Sequence, residues 1–244
     1  MPEQLGRAQL AAMDLTAGEI ASQKLAPETL AKAIQLVDDQ GYVVLTSVMS
    51  RSWCRKMSTA WARYDAGENS DPWSEDIMDP LAVENPWALQ IMEAIMPDMW
   101  AQLPYWTNVT TPGQTYGQDW RAPGDPTTQA VHRDQPHLFP ETDLILPPHA
   151  LIQHITLCDF TDDNGSTELW PTTHKLVDTA ENDMGGGYAT TRWKGAEERA
   201  ASVPAVSMNC PAGSIMVRDM RMWRAFRINS FCRFASSQPC NCRS

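Results

Sequence analysis

The sequence lacks long apolar runs. None approaches the roughly 18 residues that a membrane-spanning helix needs. Between Met1 and Lys24 the chain carries Glu3, Arg7 and Asp14, and it has no apolar core of a secretory signal. We therefore expect a cytoplasmic protein that has no membrane partner.

Basic residues are also scarce. Lys and Arg number 19 against 30 Asp and Glu, which gives a formal net charge of −11. So acidic a chain repels nucleic acid and anionic lipid surfaces, and neither is expected as its main partner. A small-molecule substrate is expected instead, and homo- or hetero-oligomeric assembly is left open.

A disulfide framework is missing as well. The six cysteines have no regular spacing, and Cys54, Cys158 and Cys210 are scattered in a way that favours reduced thiols. Cys240 and Cys242 form a Cys-x-Cys pair near the end of the chain. No second pair completes a zinc site.

No repeat or low-complexity linker divides the 244 residues, so a single domain over 1–244 is predicted. Apolar spacing predicts a helix over Pro27–Gln40, which starts at a proline and stops at Gly41. Two more helices are predicted, at Arg51–Tyr64 and Trp87–Met96. Strands are predicted at Tyr42–Leu45, Tyr105–Thr110, Gln129–Arg133, Leu151–Asp159, Val203–Met208 and Ser214–Arg218.

Helices followed by short strands and long loops are typical of a mainly β fold, a jelly-roll barrel with flanking helices. Residues 1–25 are expected to form a flexible N-terminus. Residues 224–244 contain arginines, cysteines and the stretch Ala-Ser-Ser-Gln-Pro, and they are expected to form an atypical, disordered tail.

All five histidines lie between positions 132 and 174. His132 and Asp134 stand two residues apart, a spacing that places both side chains on one face of a β-strand. One imidazole and one carboxylate supply two corners of the facial triad that holds iron(II) in oxygenases. A histidine that is simply hydrogen-bonded to Asp134 explains the tripeptide equally well, and His154 could point to either side of its strand.

The surrounding segments resemble those of one family. His132-Arg133-Asp134 is followed, over residues 159–174, by DFTDDNGSTELWPTTH, and residues 211–223 read PAGSIMVRDMRMW. This ordered series is similar to the phytanoyl-CoA dioxygenase family of iron(II)- and 2-oxoglutarate-dependent oxygenases, in particular the members that tailor secondary metabolites. The resemblance covers Ala26 to Trp223 and is strongest from Gln129 to His174.

The resemblance implies a double-stranded β-helix, the jelly-roll barrel of these oxygenases. It implies an enzyme that uses Fe(II), 2-oxoglutarate and O₂ to oxidise a small organic metabolite, by hydroxylation or a similar step. It also implies iron ligands at His132 and Asp134 and cosubstrate or pocket contacts at Gln129, Thr167 and Trp170. His174 lies in the family's turn motif and is interpreted as structural.

The pattern breaks after Trp223. The family places its second iron-binding histidine at the next position, where this chain has Arg224, and no histidine follows His174. Asp219 precedes that position by five residues, an odd offset that sends its side chain to the opposite strand face. With the motif that follows also absent, the barrel is expected to be incomplete at its C-terminus.

The genetic code offers an explanation. Codons for the residues from Arg224 to Ile228, read in a shifted frame, permit Gly-Val-Pro-Asn, which matches the family motif after the missing histidine. We therefore hypothesise a frame change or altered splice between Trp223 and Arg224. Two alternatives to an active oxygenase stay open: a catalytically silent binding or partner subunit that keeps the fold, and a small-molecule binder that needs no metal.

Overall fold

The computed structural model describes residues 9–68, 74, 77–97, 121–122, 125–139, 141–142, 144–177 and 200–226. The helices in these ranges are α1 Ala17–Ser22, α2 Pro27–Gln40, α3 Arg51–Asp65, α4 Pro80–Val83 and α5 Pro86–Ile95. The strands are β1 Ala12–Asp14, β2 Tyr42–Thr46, β3 Arg121–Ala122, β4 Asp125–Gln129, β5 Leu151–Ile155, β6 Thr167–Leu169, β7 Val206–Ser207, β8 Ile215–Asp219 and β9 Arg224–Phe226. None of the helices in these ranges has both the length and the apolar character needed to cross a membrane.

Four strands form the central sheet, in the order β1-β2-β8-β5. β1 is parallel to β2, whereas β8 is antiparallel to both of its neighbours. Successive side chains along a strand point to opposite faces. Val43 and Leu45 of β2 therefore pack with α2 and α5 on one face, while Tyr42 and Val44 point to the other face.

A second sheet, with the order β7-β6-β9, covers that other face. Leu169 of β6 and Val206 of β7 belong to the same buried cluster as Val44 and Met216 of the central sheet. We call the space between the two sheets the interior. An isolated bridge joins Arg224, the first residue of β9, to His132 and so brings the segment after β4 alongside the second sheet.

Local sequence explains where the helices begin and end. α2 starts with a proline in its first turn and ends at Gly41, whose φ of 87° suits a residue without a side chain. Ser50 caps α3 by accepting a hydrogen bond from the Trp53 N–H, and Asn85 caps α5 in the same way. The three predicted helices are confirmed to within one residue at each end.

Four predicted strands form: β2 and β8 lie within one residue of their predicted ends, whereas β5 and β7 are shorter than expected. β5 ends at Ile155 rather than Asp159, and β7 contains only Val206–Ser207. The predicted strand over Gln129–Arg133 is wrong, because β4 ends at Gln129 and only an isolated bridge follows it. The predicted strand at Tyr105–Thr110 lies outside the described residues.

Two expectations about the ends of the domain need correction. Residues 9–25 of the N-terminus are not a flexible segment, because β1 pairs with β2 and α1 follows it. At the other end, residues 224–226 form β9 against β6 rather than the start of a disordered tail. Residues 227–244, with the Cys-x-Cys pair, lie outside the described part of the chain.

Glu19 secures this N-terminal part. Its side chain completes a capping box with Thr16 and also accepts a hydrogen bond of 2.9 Å from the backbone N–H of Ala26, at the start of α2. Hydrogen bonds from Thr29, Ala26 and Thr16 together lower the pKa of this buried carboxyl to about 2. One carboxylate therefore ties α1 to α2.

Glu19→Gln is expected to lower stability near neutral pH and to have little effect in acid. The folded pKa lies below the usual value of about 4.3, so the stabilisation is present above that value and disappears as the pH falls towards about 2. Urea unfolding midpoints of the parent and the variant, measured from neutral pH down to about pH 2, would show this loss of stabilisation. Glu28→Gln, at an exposed site in the first turn of α2, is the control. A difference between parent and Glu19→Gln that stays constant with pH would contradict the assignment.

Candidate functional site

His132 and Asp134 lie in a segment that is held by backbone hydrogen bonds on both sides. The N–H of His132 donates to the Arg224 carbonyl at 3.0 Å, and the Arg224 N–H donates to the His132 carbonyl at 2.8 Å. The N–H groups of Asp134 and Gln135 donate to the carbonyl of Met220, in the turn after β8. The segment is therefore fixed between β9 and the end of β8, although it is not a regular strand.

The two side chains meet in the buried interior, as their spacing predicts. His132 is 1% exposed and Asp134 is 6% exposed, and Nε2 of His132 lies 3.4 Å from Oδ1 of Asp134. Nδ1 of His132 lies 2.8 Å from the Ala130 carbonyl oxygen, which can only accept, so Nδ1 carries the proton. Nε2 then carries a lone pair, the form of imidazole that binds metals.

Arg224 brings a positive charge to this pair. Residues that bridge directly across antiparallel backbones share a face, so the Arg224 side chain lies on the side of His132. Its Nε lies 3.0 Å from both carboxylate oxygens of Asp134, and its Nη2 lies 2.7 Å from Oδ1. A second guanidinium, that of the fully buried Arg218 on β8, donates to Oδ2.

These charges set the protonation states of the cluster. Burial alone would raise the pKa of Asp134, but the guanidiniums of Arg224 and Arg218 overcome that effect and hold it well below its usual range. Burial lowers the pKa of His132, and Arg224 lowers it further against the opposing contact with Asp134. The cluster is therefore an ionised carboxylate between two cations beside a neutral imidazole.

Asp219, the carboxylate that precedes Arg224 by five residues, pairs with Arg221. Its oxygens accept hydrogen bonds from Nε of Arg221 at 3.0 Å and from Nη2 of the same side chain at 2.7 Å. Arg221 also donates to the Leu146 carbonyl at 2.8 Å. The pair is fully buried and connects the end of β8 to the loop before β5.

His154 belongs to the interior, which its sequence context did not reveal. It lies opposite Met216 in the β5–β8 register, and directly paired residues share a face. Its Nε2 is buried without a hydrogen-bond partner in the described part of the chain. Burial, reinforced by the charges of Arg218 and Arg224, lowers the pKa of His154 to about 3, so the ring is neutral.

Alternation along β5 was the signal that could have placed His154. Leu151 and Ile155 pack with the helices on the outer face of the sheet, and Gln153 donates to the Ala82 carbonyl in α4. The two positions between them must therefore face the interior. Arg218 follows the same logic on β8, where its neighbour Val217 packs towards the helices.

The predicted cosubstrate contacts do not share one environment. Trp170 is buried with Val131 and Trp223, and its Nε1 donates to the Ala200 carbonyl at 3.0 Å. Thr167 is buried on β6 in register with β9, and Gln129 is half-buried at the end of β4. Their roles as 2-oxoglutarate contacts stay predictions.

His174 has the surroundings of a structural residue. Its Nε2 lies 2.9 Å from the carbonyl oxygen of Asp38 in α2, and its ring lies against Gly41. The preceding residue, Thr173, donates to the Trp170 carbonyl at 2.7 Å and accepts from the Trp223 N–H at 2.9 Å. This turn therefore joins the two motif segments to the end of α2.

Two facing sheets with flanking helices enclose the buried His132 and Asp134 pair, and this fold is shared with solved structures. The structure is similar to the crystal structure of the epimerase SnoN in complex with Fe3+, alpha ketoglutarate and nogalamycin RO. That match has a TM-score of 0.56 and 17% identity, and covers 84% of this chain and 80% of the other. A second structure of SnoN, the non-heme alpha ketoglutarate dependent epimerase from nogalamycin biosynthesis, matches with a TM-score of 0.51 and 15% identity over 84% and 78% of the two chains.

Residues 120–227 match the model of the phytanoyl-CoA dioxygenase (PhyH) family. Over this region the chain is similar to the PhyH-like iron(II)- and 2-oxoglutarate-dependent oxygenases, which are non-haem iron enzymes. At these identities the SnoN structures establish the fold alone.

The residues present do not fit the iron(II) ion that the family implies. His132 offers a suitable lone pair, but both oxygens of Asp134 are engaged by guanidiniums. In the described ranges no three His, Cys, Asp or Glu side chains come together to hold a metal. A divalent cation would have to displace two arginines and would still lack a third protein donor.

Gly41→Ala is expected to destabilise the protein more than Gly67→Ala. Both glycines have positive φ, 87° and 74°, so both variants carry the backbone strain of about 1–2 kcal/mol. A Cβ at Gly41 would lie 2.7 Å from Nδ1 of His174, whereas one at Gly67 meets no atom within 4 Å. The crowding should add about 1–3 kcal/mol, measured by urea unfolding. Equal losses of unfolding free energy in the two variants would show that the His174 ring does not pack tightly against the end of α2.

Proposed function

We propose that this chain, as it stands, is a catalytically silent member of the PhyH-like oxygenases. The family's chemistry is oxidation of a small molecule with iron(II), 2-oxoglutarate and O₂. The match of residues 120–227 to the PhyH family and the SnoN-like fold support a relationship to these enzymes. The observation that carries the proposal is the contact of Arg224 with Asp134. This arginine stands where the family has a histidine, and its guanidinium holds both oxygens of the carboxylate that would bind iron.

Ligand number and charge both act against metal binding. A facial triad needs three protein donors, and His132 and Asp134 supply only two. Arg218 and Arg224 place two positive charges against the same carboxylate, so an approaching cation meets repulsion as well as competition. Breaking buried ion pairs of this kind costs about 3–5 kcal/mol, which a two-ligand iron site would have to recover.

The fold is part of the proposal. We infer that the two facing sheets are walls of a double-stranded β-helix barrel, which the matched SnoN fold supports. In this interpretation the barrel is incomplete at its C-terminus, because the sequence after Phe226 lacks the family's continuation. The retained walls would hold a small organic molecule near Gln129, Thr167 and Trp170, the residues that the family motif places around the cosubstrate pocket.

A second candidate function is small-molecule binding without metal, as an independent binder or as the silent partner of an oligomer. Two buried polar atoms favour it. Nε2 of His154 and Nε of Arg218 belong to side chains that face the interior, and neither has a hydrogen-bond partner in the described residues. Buried polar atoms of this kind are costly unless water or a ligand satisfies them. Binding by such a site would be indifferent to chelators.

The chain is expected to release no more succinate than a no-enzyme control when supplied with iron(II), ascorbate, 2-oxoglutarate and O₂. The reason is the missing third donor and the occupied Asp134. His132→Ala is the matched variant. It removes the remaining histidine candidate for an iron ligand and should leave succinate release unchanged. Sustained succinate release that His132→Ala abolishes would contradict the proposal.

Restoring the family motif is expected to restore iron affinity in two stages. Arg224→His frees Oδ1 of Asp134, leaves the Arg218 contact at Oδ2, and adds a donor opposite His132, so it should bind iron(II) measurably where the parent does not. A chain that also carries the family's continuation after this histidine should bind iron more tightly and turn over 2-oxoglutarate. Equilibrium dialysis with iron(II) and succinate release measure the two effects. Equal activity of the two variants would show that the altered C-terminus does not limit the site.

A further inference from the structure

We propose that the guanidinium of Arg224 serves as a built-in cation, which replaces a metal ion in holding the interior together and makes the fold independent of metal. This inference rests on the proposed loss of the iron site but concerns folding rather than turnover. It follows from three features of the cluster: which elements it joins, how deeply the carboxylate is buried, and how Arg224 is itself held.

The cluster joins three distant parts of the chain. Asp134 lies after β4, Arg218 is 84 residues away on β8, and Arg224 is 90 residues away on β9. Arg218 belongs to the central sheet and Arg224 to the second sheet. The carboxylate of Asp134 is therefore a common acceptor through which Arg218 and Arg224 link both sheets to the segment after β4.

Burial makes the positive partner necessary. The Asp134 side chain is 7% exposed, Arg218 is 0% exposed and Arg224 is 12% exposed. A carboxylate so far from water is strongly destabilising unless charged hydrogen-bond donors replace its hydration. Arg224 supplies three donor–acceptor contacts, from Nε to each oxygen and from Nη2 to Oδ1. The planar guanidinium suits this two-oxygen contact better than the point charge of a lysine.

The main chain of Arg224 is held by contacts that do not involve its side chain. Its N–H and carbonyl are both paired with His132 across the bridge, at 2.8 and 3.0 Å. The β6–β9 register pairs it with Leu169 on its other side. Because the backbone is held from both sides, the side chain loses little further freedom when it contacts Asp134.

The test is a double-mutant cycle that combines Arg224→Met with Asp134→Asn, measured by urea unfolding with and without EDTA. The parent's midpoint should not move with EDTA or with added manganese(II). Each single variant should raise the unfolding equilibrium constant at least tenfold, and the double variant should fall short of the product of the two by at least tenfold, because the two residues stabilise each other. Arg51→Met is the matched control. It breaks an exposed bidentate pair with Asp159, and a several-fold smaller change is expected.

Arg224→Lys keeps the test decisive if Arg224→Met does not fold. It retains the positive charge but loses the planar two-donor geometry, so it should fold with a urea midpoint below that of the parent, and this loss should shrink when it is combined with Asp134→Asn. Parent unfolding that EDTA promotes, or independent effects of the two substitutions, would overturn the inference. Succinate release is read separately. Turnover by the parent would contradict the proposed silence, whereas loss of coupling would overturn the built-in cation whether or not the chain turns over.

Discussion

A carboxylate in the interior of a protein needs positive partners, and Asp134 has two. Its contacts with Arg218 and Arg224 link the central sheet, the second sheet and the segment after β4. The neutral state of His132 and of His154 follows from the same arrangement, since burial and the neighbouring guanidiniums both disfavour a further positive charge. The chemistry open to the site is therefore decided by which cation neutralises this one carboxylate.

Much of the fold could be predicted from the sequence where local signals determine the structure. The proline and glycine that bound α2, and the serine that caps α3, act within a few residues, and those boundaries were predicted correctly. The strand proposed through His132 was not, because β pairing depends on distant partners that a single sequence does not reveal. β1 was missed for the same reason, since three residues become a strand only through their parallel pairing with β2.

The candidate site was predictable in part. The His-x-Asp spacing did bring His132 and Asp134 together, although a bridge and a bend replace the expected strand. Arg224 was recognised as an interruption of the family pattern, but its direct contact with Asp134 depends on the register of β9 against the His132 segment. His154 and Arg218 were not identified as interior residues, because alternation along β5 and β8 says which side chains share a face but not which face meets the helices, and that depends on distant contacts.

Several family-motif residues prove to be scaffold. Asp219 and Arg221 form a buried pair that connects β8 to the loop at Leu146, and Thr173 bridges Trp170 to Trp223. A match to such a motif therefore indicates a shared fold as much as a shared reaction. The fold can match a family through these residues while the site itself differs.

The bridge between His132 and Arg224 has an evolutionary consequence. It uses only main-chain N–H and carbonyl groups, so it does not depend on which side chain stands at position 224. A lineage that exchanges the residue at this position therefore keeps the pairing of β9 with the His132 segment, but it loses the side chain that neutralises Asp134. Strand pairing and charge balance are therefore inherited separately, and a substitution at position 224 is tolerated best when another cation takes over the buried carboxylate.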